Sequence, residues 1–451
     1  MSSSLLNLIN IKYQDTNYKL LLETENSDLI VLLETRKKKV LNLLSNLKFF
    51  EIDKKSKFKK DINLGKINVT STLKKNTFDD SPTANPKYDI LLVYSCIDLL
   101  LEFVSDLSKL KIRNSDFFVS IIFLIKLYHN QGHFILHLNY VTALMDSSQM
   151  ENLSWKKSQY CFQCANGLSK LLLQELEILK STPLYSQILD EKFIDKANLI
   201  FFFNVSYQQF AYVIFALFKI QNKILENYSD DNLFKNEKSV DGLSYNGLAK
   251  MVIQVIRLYD VIIDSSHADS PYEIKIFYKE YLTALLYVFQ GLQAFTIENK
   301  IGRSCGYINS AYIILIKSKL FKEFMETYEV EYKSWQKGNT KGTMNYKQKL
   351  ESWKEKSKKL RKKIISTNFT DDLILNSFEK FIVPLVFTLK YRIENYNNLV
   401  AFESIPGESE LKSYLPYVKN IGGDLINVLN NSKCINWVIN NDSLSISISE
   451  L

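Results

Sequence analysis

An all-α fold is predicted by three features of the sequence. Glycine and proline number 13 and 7 among 451 residues, about 4% of the chain where average usage is roughly 12%. Turn-rich β-sandwiches and glycine-dependent phosphate-binding folds need more of both. Apolar residues recur at the 3.6-residue spacing of helices through one long segment after another. With 46% apolar and 24% charged residues, the chain can bury an ample core, which excludes disordered and low-complexity classes.

Residues 1–88 form an N-terminal part. Within it 29–47 has helical spacing, 63–72 reads as a short extended piece, and 73–88 is a loop holding Pro82 and Pro86. Helical patterns follow at 88–110, 117–145, 153–180, 191–227, 244–265 and 272–297, then at 302–328, 346–366 and 371–395. The expected layout is a helical core over 89–406 and a C-terminal tail, 407–451, packing on it or trailing it. No fixed period of self-similarity is present, so helix hairpins without a regular repeat are expected.

Lys and Arg (57) exceed Asp and Glu (49) by +8. The excess falls in runs at 36–39, 54–60 and 354–363, which read as solvated helix ends and loops; a dedicated nucleic-acid binder is more basic and interleaves aromatic residues with the charge. Five cysteines (Cys96, Cys161, Cys164, Cys305, Cys434) in apolar helical patterns point to a reducing compartment, and the N-terminus has no basic-then-apolar secretory pattern. A cytoplasmic protein is expected. Residues 197–218 carry no charge over 22 positions, long enough to cross a bilayer. Asn198, Asn204, Ser206, Gln208 and Gln209 within them argue instead for a helix buried in protein on nearly all sides.

Catalytic chemistry is hard to find. His129, His133 and His137 stand at i, i+4, i+8 on one helix, but HNQGHFILH lacks the glutamate of a zinc-protease helix. A partly exposed helix face is expected there, without a metal. Cys161 and Cys164 form a CxxC with no second pair at zinc-ribbon spacing, as small residues on a helix packing face would. GxxxxGK[ST], GxGxxG and GxSxG are absent from the sequence. No enzyme activity and no cofactor are expected.

Residues 139–172 carry Asn139, Ala143, Leu144, Lys156, Phe162, Gln163, Ala165 and Gly167. This skeleton, an Asn-x3-Ala-Leu helix, a loop and a helix with FQxAxG, resembles the Bro domain family of Alix and PalC type. Two further segments agree in order. ALLYVFQGLQAF and the turn KIGRSCGYINSA place Gly302, Gly306 and Ala311 at the family's small positions, and NNLVAFESIP resembles its closing segment, with Ala401 where the family has Tyr. The resemblance implies a boomerang-shaped helical solenoid with a tetratricopeptide-like core and a small N-terminal sheet. It also implies two antiparallel helices across 139–172, with Phe162, Ala165 and Gly167 at their contact. The 45 residues after Pro406 hold no V-shaped coiled domain or proline-rich tail, a layout closest to the PalC-type adaptors of fungal ambient-pH signalling.

What the resemblance implies is a partner-binding function: a concave face that receives the C-terminal amphipathic helix of an ESCRT-III filament subunit, with recruitment to endosomal or plasma-membrane sites. Lys156 matches a groove lysine, and Tyr160 lies one turn on. Ala249, Lys250 and Met251 match the family's Ala-Lys-Leu, which makes Met251 an apolar floor residue, with Gly247 one turn before it. Phe218 and Lys219 match an apolar and basic pair on the preceding helix. From its own spacing, Met251 could equally pack in the core with Val252 and Val255. The alternative function is a helical scaffold that binds an acidic membrane surface or nucleic acid through 354–363. Salt separates the two, because counterion-driven binding falls steeply with salt.

Overall fold

The computed structural model describes residues 27–46, 90–110, 113–143, 152–181, 191–226, 239–240, 243–265, 272–319, 321–337, 352–353, 356–357, 378–418, 434–440 and 443–446. The fold is all-α with small β elements. Among the described residues the helices begin with α1 (Ser27–Asn46), α2 (Ile90–Ser108), α3 (Ser115–Ala143), α4 (Asn152–Lys180) and α5 (Glu191–Glu226). A minimal ribbon, β1 (Ser239–Val240) with β2 (Leu243–Ser244), precedes α6 (Tyr245–Ser265), α7 (Tyr272–Thr296), α8 (Ile301–Lys317) and α9 (Lys322–Lys337). Then come α10 (Val383–Tyr396), flanked by π-helical turns Phe378–Ile382 and Asn397–Ala401, and the short α11 (Glu408–Ser413). The hairpin β3 (Trp437–Asn440) and β4 (Ser443–Ile446) pairs Trp437 with Ile446 and Asn440 with Ser443. The expected N-terminal β piece at 63–72 lies outside the described residues.

The chain forms two compact units, one of residues 1–208 with 424–451 and one of 209–423, so that α5 contributes to both. In the first unit α3 and α4 pack side by side. Ser158 Oγ donates to the Gly132 carbonyl at 2.8 Å, and the Phe162 ring lies where a Cβ on Gly132 would stand, 2.9 Å away. Asn166 Nδ2 donates to Gln208 Oε1 at 2.6 Å and Asn204 Nδ2 to Ser169 Oγ at 3.2 Å. The order of those two pairs fixes α4 and α5 as antiparallel. Gly167 does not face α3. Its close neighbour is the segment entering β3: a Cβ at 167 would meet the Ile435 carbonyl oxygen at 1.8 Å.

The basic run at 36–39 is not simply solvated. Arg36 pairs with Asp106 and with Glu102 of α2, and Lys37 Nζ lies 2.8 Å from the buried Asp116 carboxylate at the start of α3. Arg36 and Lys37 of α1 thus neutralise Asp106 and Asp116, which α2 and α3 carry inward, and removing either cation would leave a buried carboxylate without that compensation. Asn114 caps α3, its Oδ1 accepting the Phe117 N–H at 3.0 Å.

In the second unit α7 and α8 pack closely around Gly291, whose absent Cβ leaves room for Ile308. Tyr287 and Tyr307 stack at 5.9 Å on the same seam. The helix expected over 302–328 is two helices. Ser318 takes extended backbone (φ −68°, ψ 131°) and ends α8. This break swings Phe321, Phe324 and Met325 of the next segment into the core, where Phe321 meets Phe378 at 4.1 Å. Pro384, at the start of α10, supplies no backbone N–H, and the chain reaches it through the wider π turn Phe378–Ile382.

The uncharged stretch of α5 is long and apolar enough to cross a membrane by length and composition, but most of it is buried within the protein. Asn204 and Gln208 spend their polarity on the α4–α5 hydrogen bonds given above.

Candidate functional site

On α6, Leu248, Ala249 and Val252 are fully buried. Met251 lies half-exposed between these and the solvent side, beside exposed Lys250 and one turn past half-exposed Gly247. The start of the helix is fixed from two sides. Ser244 Oγ accepts the Gly247 N–H at 3.1 Å, and the Asn246 N–H donates to Gln293 Oε1 of α7 at 3.2 Å. Met251 therefore sits on a well-anchored helix turn and is partly accessible to solvent.

Phe218 is a core residue: it is 4% exposed, and its ring stands edge-on to Phe381 at 5.9 Å. This half of α5 is apolar on nearly every side, with Ala216, Leu217 and Ile220 buried as well, so the ring turns inward and is not offered as a groove floor. Lys219 is half-exposed, its ammonium 4.7 Å over the Phe215 ring.

In the other unit, Lys156 is exposed and Tyr160, one turn on, is 46% exposed on α4. Partial burial, with Cys164 nearby, pushes the Tyr160 phenol up to about 12. It is thus a neutral hydrogen-bonding hydroxyl at physiological pH. The family-matched residues divide into these two groups: Lys156 and Tyr160 on α4, and Phe218, Lys219, Gly247 and Met251 on α5 and α6. Asn139 and Ala143 fall in α3, with side chains outside the described set, as is all of Leu144.

The histidines and cysteines that the sequence raised as candidates are buried where the structure describes their side chains, apart from half-buried Cys434. His129 and His133 are 1% and 3% exposed, so these two do not form the partly exposed face expected; the side chain of His137 lies outside the described set. His129 lies 5.4 Å from the Phe162 ring and 5.0 Å from each of Phe203 and Tyr207. Two aromatic residues of α5, far along the chain, cover a helix face that looks half-polar by itself. Burial pushes both Cys161 and Cys164 up to about 12, Cys161 with added repulsion from Cys164, so neither is a thiolate near neutrality. Among the described residues no group of three or more His, Cys, Asp or Glu side chains is placed to hold a metal ion. Most of the basic run 354–363 is outside the described residues; Lys356 within it pairs with Glu331.

One surface was not singled out as a site in the sequence. Leu399, Val400, Phe402 and Ile405 stand in solvent at the end of α10. The segment is held to α8, where a Cβ on Gly302 would meet the Ser404 carbonyl oxygen at 2.2 Å and one on Gly306 would touch Leu411 and Ile405. Gly302 and Gly306 are thus small where this closing segment crosses the helix. A Leu-Val pair followed by Phe and Ile within seven residues was the available signal, but helical spacing alone does not tell an outward apolar face from an inward one.

Residues 112–443 match the profile of a family described as a family of unknown function (DUF5355). No curated protein and no solved structure matches the chain.

Proposed function

The chain belongs to the family of unknown function DUF5355, and we propose that it is a non-enzymatic adaptor of the Bro domain type that binds the C-terminal amphipathic helix of an ESCRT-III filament subunit. Its setting in this reading is fungal ambient alkaline-pH signalling, in the cytoplasm, with recruitment to endosomal or plasma-membrane sites. The observation that carries the reading is the partition of α6: Met251 half-exposed beside Lys250, above a turn whose Leu248, Ala249 and Val252 are sealed in the core.

An amphipathic helix presents apolar anchors at i, i+3, i+4 and i+7, and its receptor needs apolar contact with cationic edges. The flexible thioether of Met251 can follow an irregular partner surface. Gly247, lacking a side chain, leaves room one turn away, and Lys250 and Lys219 supply positive charge. Lys156 and Tyr160 present a cation and an amphipathic ring one turn apart on their own unit, chemistry that suits the acidic flank of such a helix.

The test is a titration of a fluorescently labelled peptide of the ESCRT-III tail helix with the full chain, read by anisotropy. Saturable binding is expected for the native peptide and none for a peptide of the same composition whose apolar spacing is scrambled. Equal binding of both, or of neither, removes the reading.

A further inference from the structure

Lys156, Tyr160, Gln163, Cys164 and Gly167 stand at i, i+4, i+7, i+8 and i+11 of α4, so they lie along one face of the helix. That face changes character halfway. Lys156 and Tyr160 are exposed, whereas the following turns are covered by the segment that enters β3. The Gln163 carbonyl accepts the Ile435 N–H at 3.1 Å, and the Cys164 carbonyl accepts the Trp437 indole N–H at 3.2 Å. At Gly167 a Cβ would run into the Ile435 carbonyl oxygen. From the other strand, the Leu444 N–H donates to Ser105 Oγ of α2 at 3.0 Å. The hairpin thus bridges α2 and α4 and stops where the candidate binding residues of α4 begin.

Two links run from the hairpin to those residues. The buried Trp437 ring stands 6.1 Å from Tyr128 of α3, a half-exposed residue. Burial above all, then repulsion from Cys164, Tyr160, Cys161 and Asp98, pushes the Tyr128 phenol up. Tyr128 therefore has Trp437 against it and Tyr160 within electrostatic reach. The second link passes through Cys164, whose carbonyl holds the indole and whose side chain shares a hydrogen bond with the Tyr160 hydroxyl. Next to them, Tyr94 of α2 is 41% exposed and accepts the Gln131 amide N–H at 3.4 Å.

The charges at the rim give the surface a direction. Exposed Lys156 and half-exposed Lys157 form no ion pair among the described residues. On the α2 side Asp98 is exposed. A helix with an acidic flank is therefore drawn toward the start of α4 and away from Asp98, with its apolar residues over the tyrosine rings.

We propose that the β3–β4 hairpin completes the partner-binding surface of α4, with Trp437 as a positioning residue that holds Tyr128 and, through Cys164, Tyr160 for the apolar face of an acidic amphipathic helix. The proposal rests on the adaptor reading and adds to it a role for the C-terminal hairpin. Side chains held in place before the partner arrives lose less freedom in the complex, which is the source of the gain in affinity.

The test is a titration of the labelled ESCRT-III tail-helix peptide with the full chain as wild type, Tyr160→Ala, Trp437→Ala and the double variant, read by anisotropy, with circular dichroism as the check on folding. Each single substitution should weaken binding about tenfold, the scale of an interface anchor. The double variant should bind no more weakly than the weaker single one, because Trp437 acts through the tyrosines; a general loss of stability would not produce that coupling. Trp437→Phe keeps a ring beside Tyr128 but lacks the indole N–H. It should bind more tightly than Trp437→Ala and more weakly than wild type, again with no added loss in the Tyr160→Ala background, and it decides the matter if Trp437→Ala does not fold. Folded Trp437 variants that bind like wild type, a Tyr160→Ala variant that does so, or losses that simply add overturn the proposal and leave the adaptor reading standing. A peptide that the wild type does not bind overturns both.

Discussion

Ile435 lays its carbonyl oxygen so close to Gly167 that a Cβ there would sit 1.8 Å away. The same strand entry donates the Ile435 N–H to the Gln163 carbonyl at 3.1 Å, and the Trp437 indole N–H to the Cys164 carbonyl at 3.2 Å. The obstacle is backbone, not the end of a flexible side chain, so even one methyl group forces the strand away from α4.

Gly167→Ala should therefore undock the β3–β4 hairpin at a cost of about 1–3 kcal/mol, the range for overpacking a tight contact. Hydrogen exchange checks it: the amides of 437–440 and 443–446 should exchange faster in the variant, with those of α7 and α8 unchanged. Unaltered protection of the hairpin would show that the strand can shift without loss.

His129 predicts a pH dependence with a definite sign. Burial among Phe162, Phe203 and Tyr207 holds its pKa down to about 3, against a smaller opposing effect of a hydrogen bond with Asn204. The unfolded chain, near 6.5, takes up the proton first, so this contribution to stability is complete above about pH 6.5 and declines as pH falls toward the folded value. Between pH 6.5 and 5 the loss is about 2 kcal/mol. Unfolding free energies of wild type and His129→Leu, from denaturant titrations at pH 5, 6 and 7, should differ by a gap that changes by about 2 kcal/mol across this range; a gap that stays constant would contradict the assignment.

Most helices were legible because their apolar spacing is local information. The observed α4 over Asn152–Lys180 and α7 over Tyr272–Thr296 lie within a residue of the spans read from spacing alone. The break at Ser318 was not legible: no Gly or Pro marks it, and its cause is the inward turn of Phe321 toward Phe378, more than fifty positions along the chain. The histidine face was misjudged for the same reason, since Phe203 and Tyr207 come from another helix. Within the candidate site, Met251 could be placed on its helix from sequence, but whether it faced water depended on α7 covering the other side of that turn.

Lys156→Glu tests the charge on α4 separately from packing. Lys156 is exposed, so the fold should be unaffected. Association with the acidic tail helix should slow, since a rim charge acts mainly on the on-rate and on salt dependence. Stopped-flow association at low salt should show the difference, and it should shrink past about 0.3 M salt as the Debye length falls to roughly 5–6 Å. Equal on-rates at low salt would place Lys156 outside the binding surface.

The central claim, that the turn of α6 around Met251 receives an amphipathic helix, is tested most directly by titrating the labelled ESCRT-III tail helix into wild type and Met251→Asp at equal salt and temperature. The introduced carboxylate stays hydrated in the free protein and must be desolvated against apolar anchors in the complex. Affinity should fall by about 2 kcal/mol or more, the scale of an anchor residue, while the melting temperature stays nearly constant. Unchanged affinity in a folded variant would contradict the claim, and an unfolded variant would show that Met251 belongs to the core.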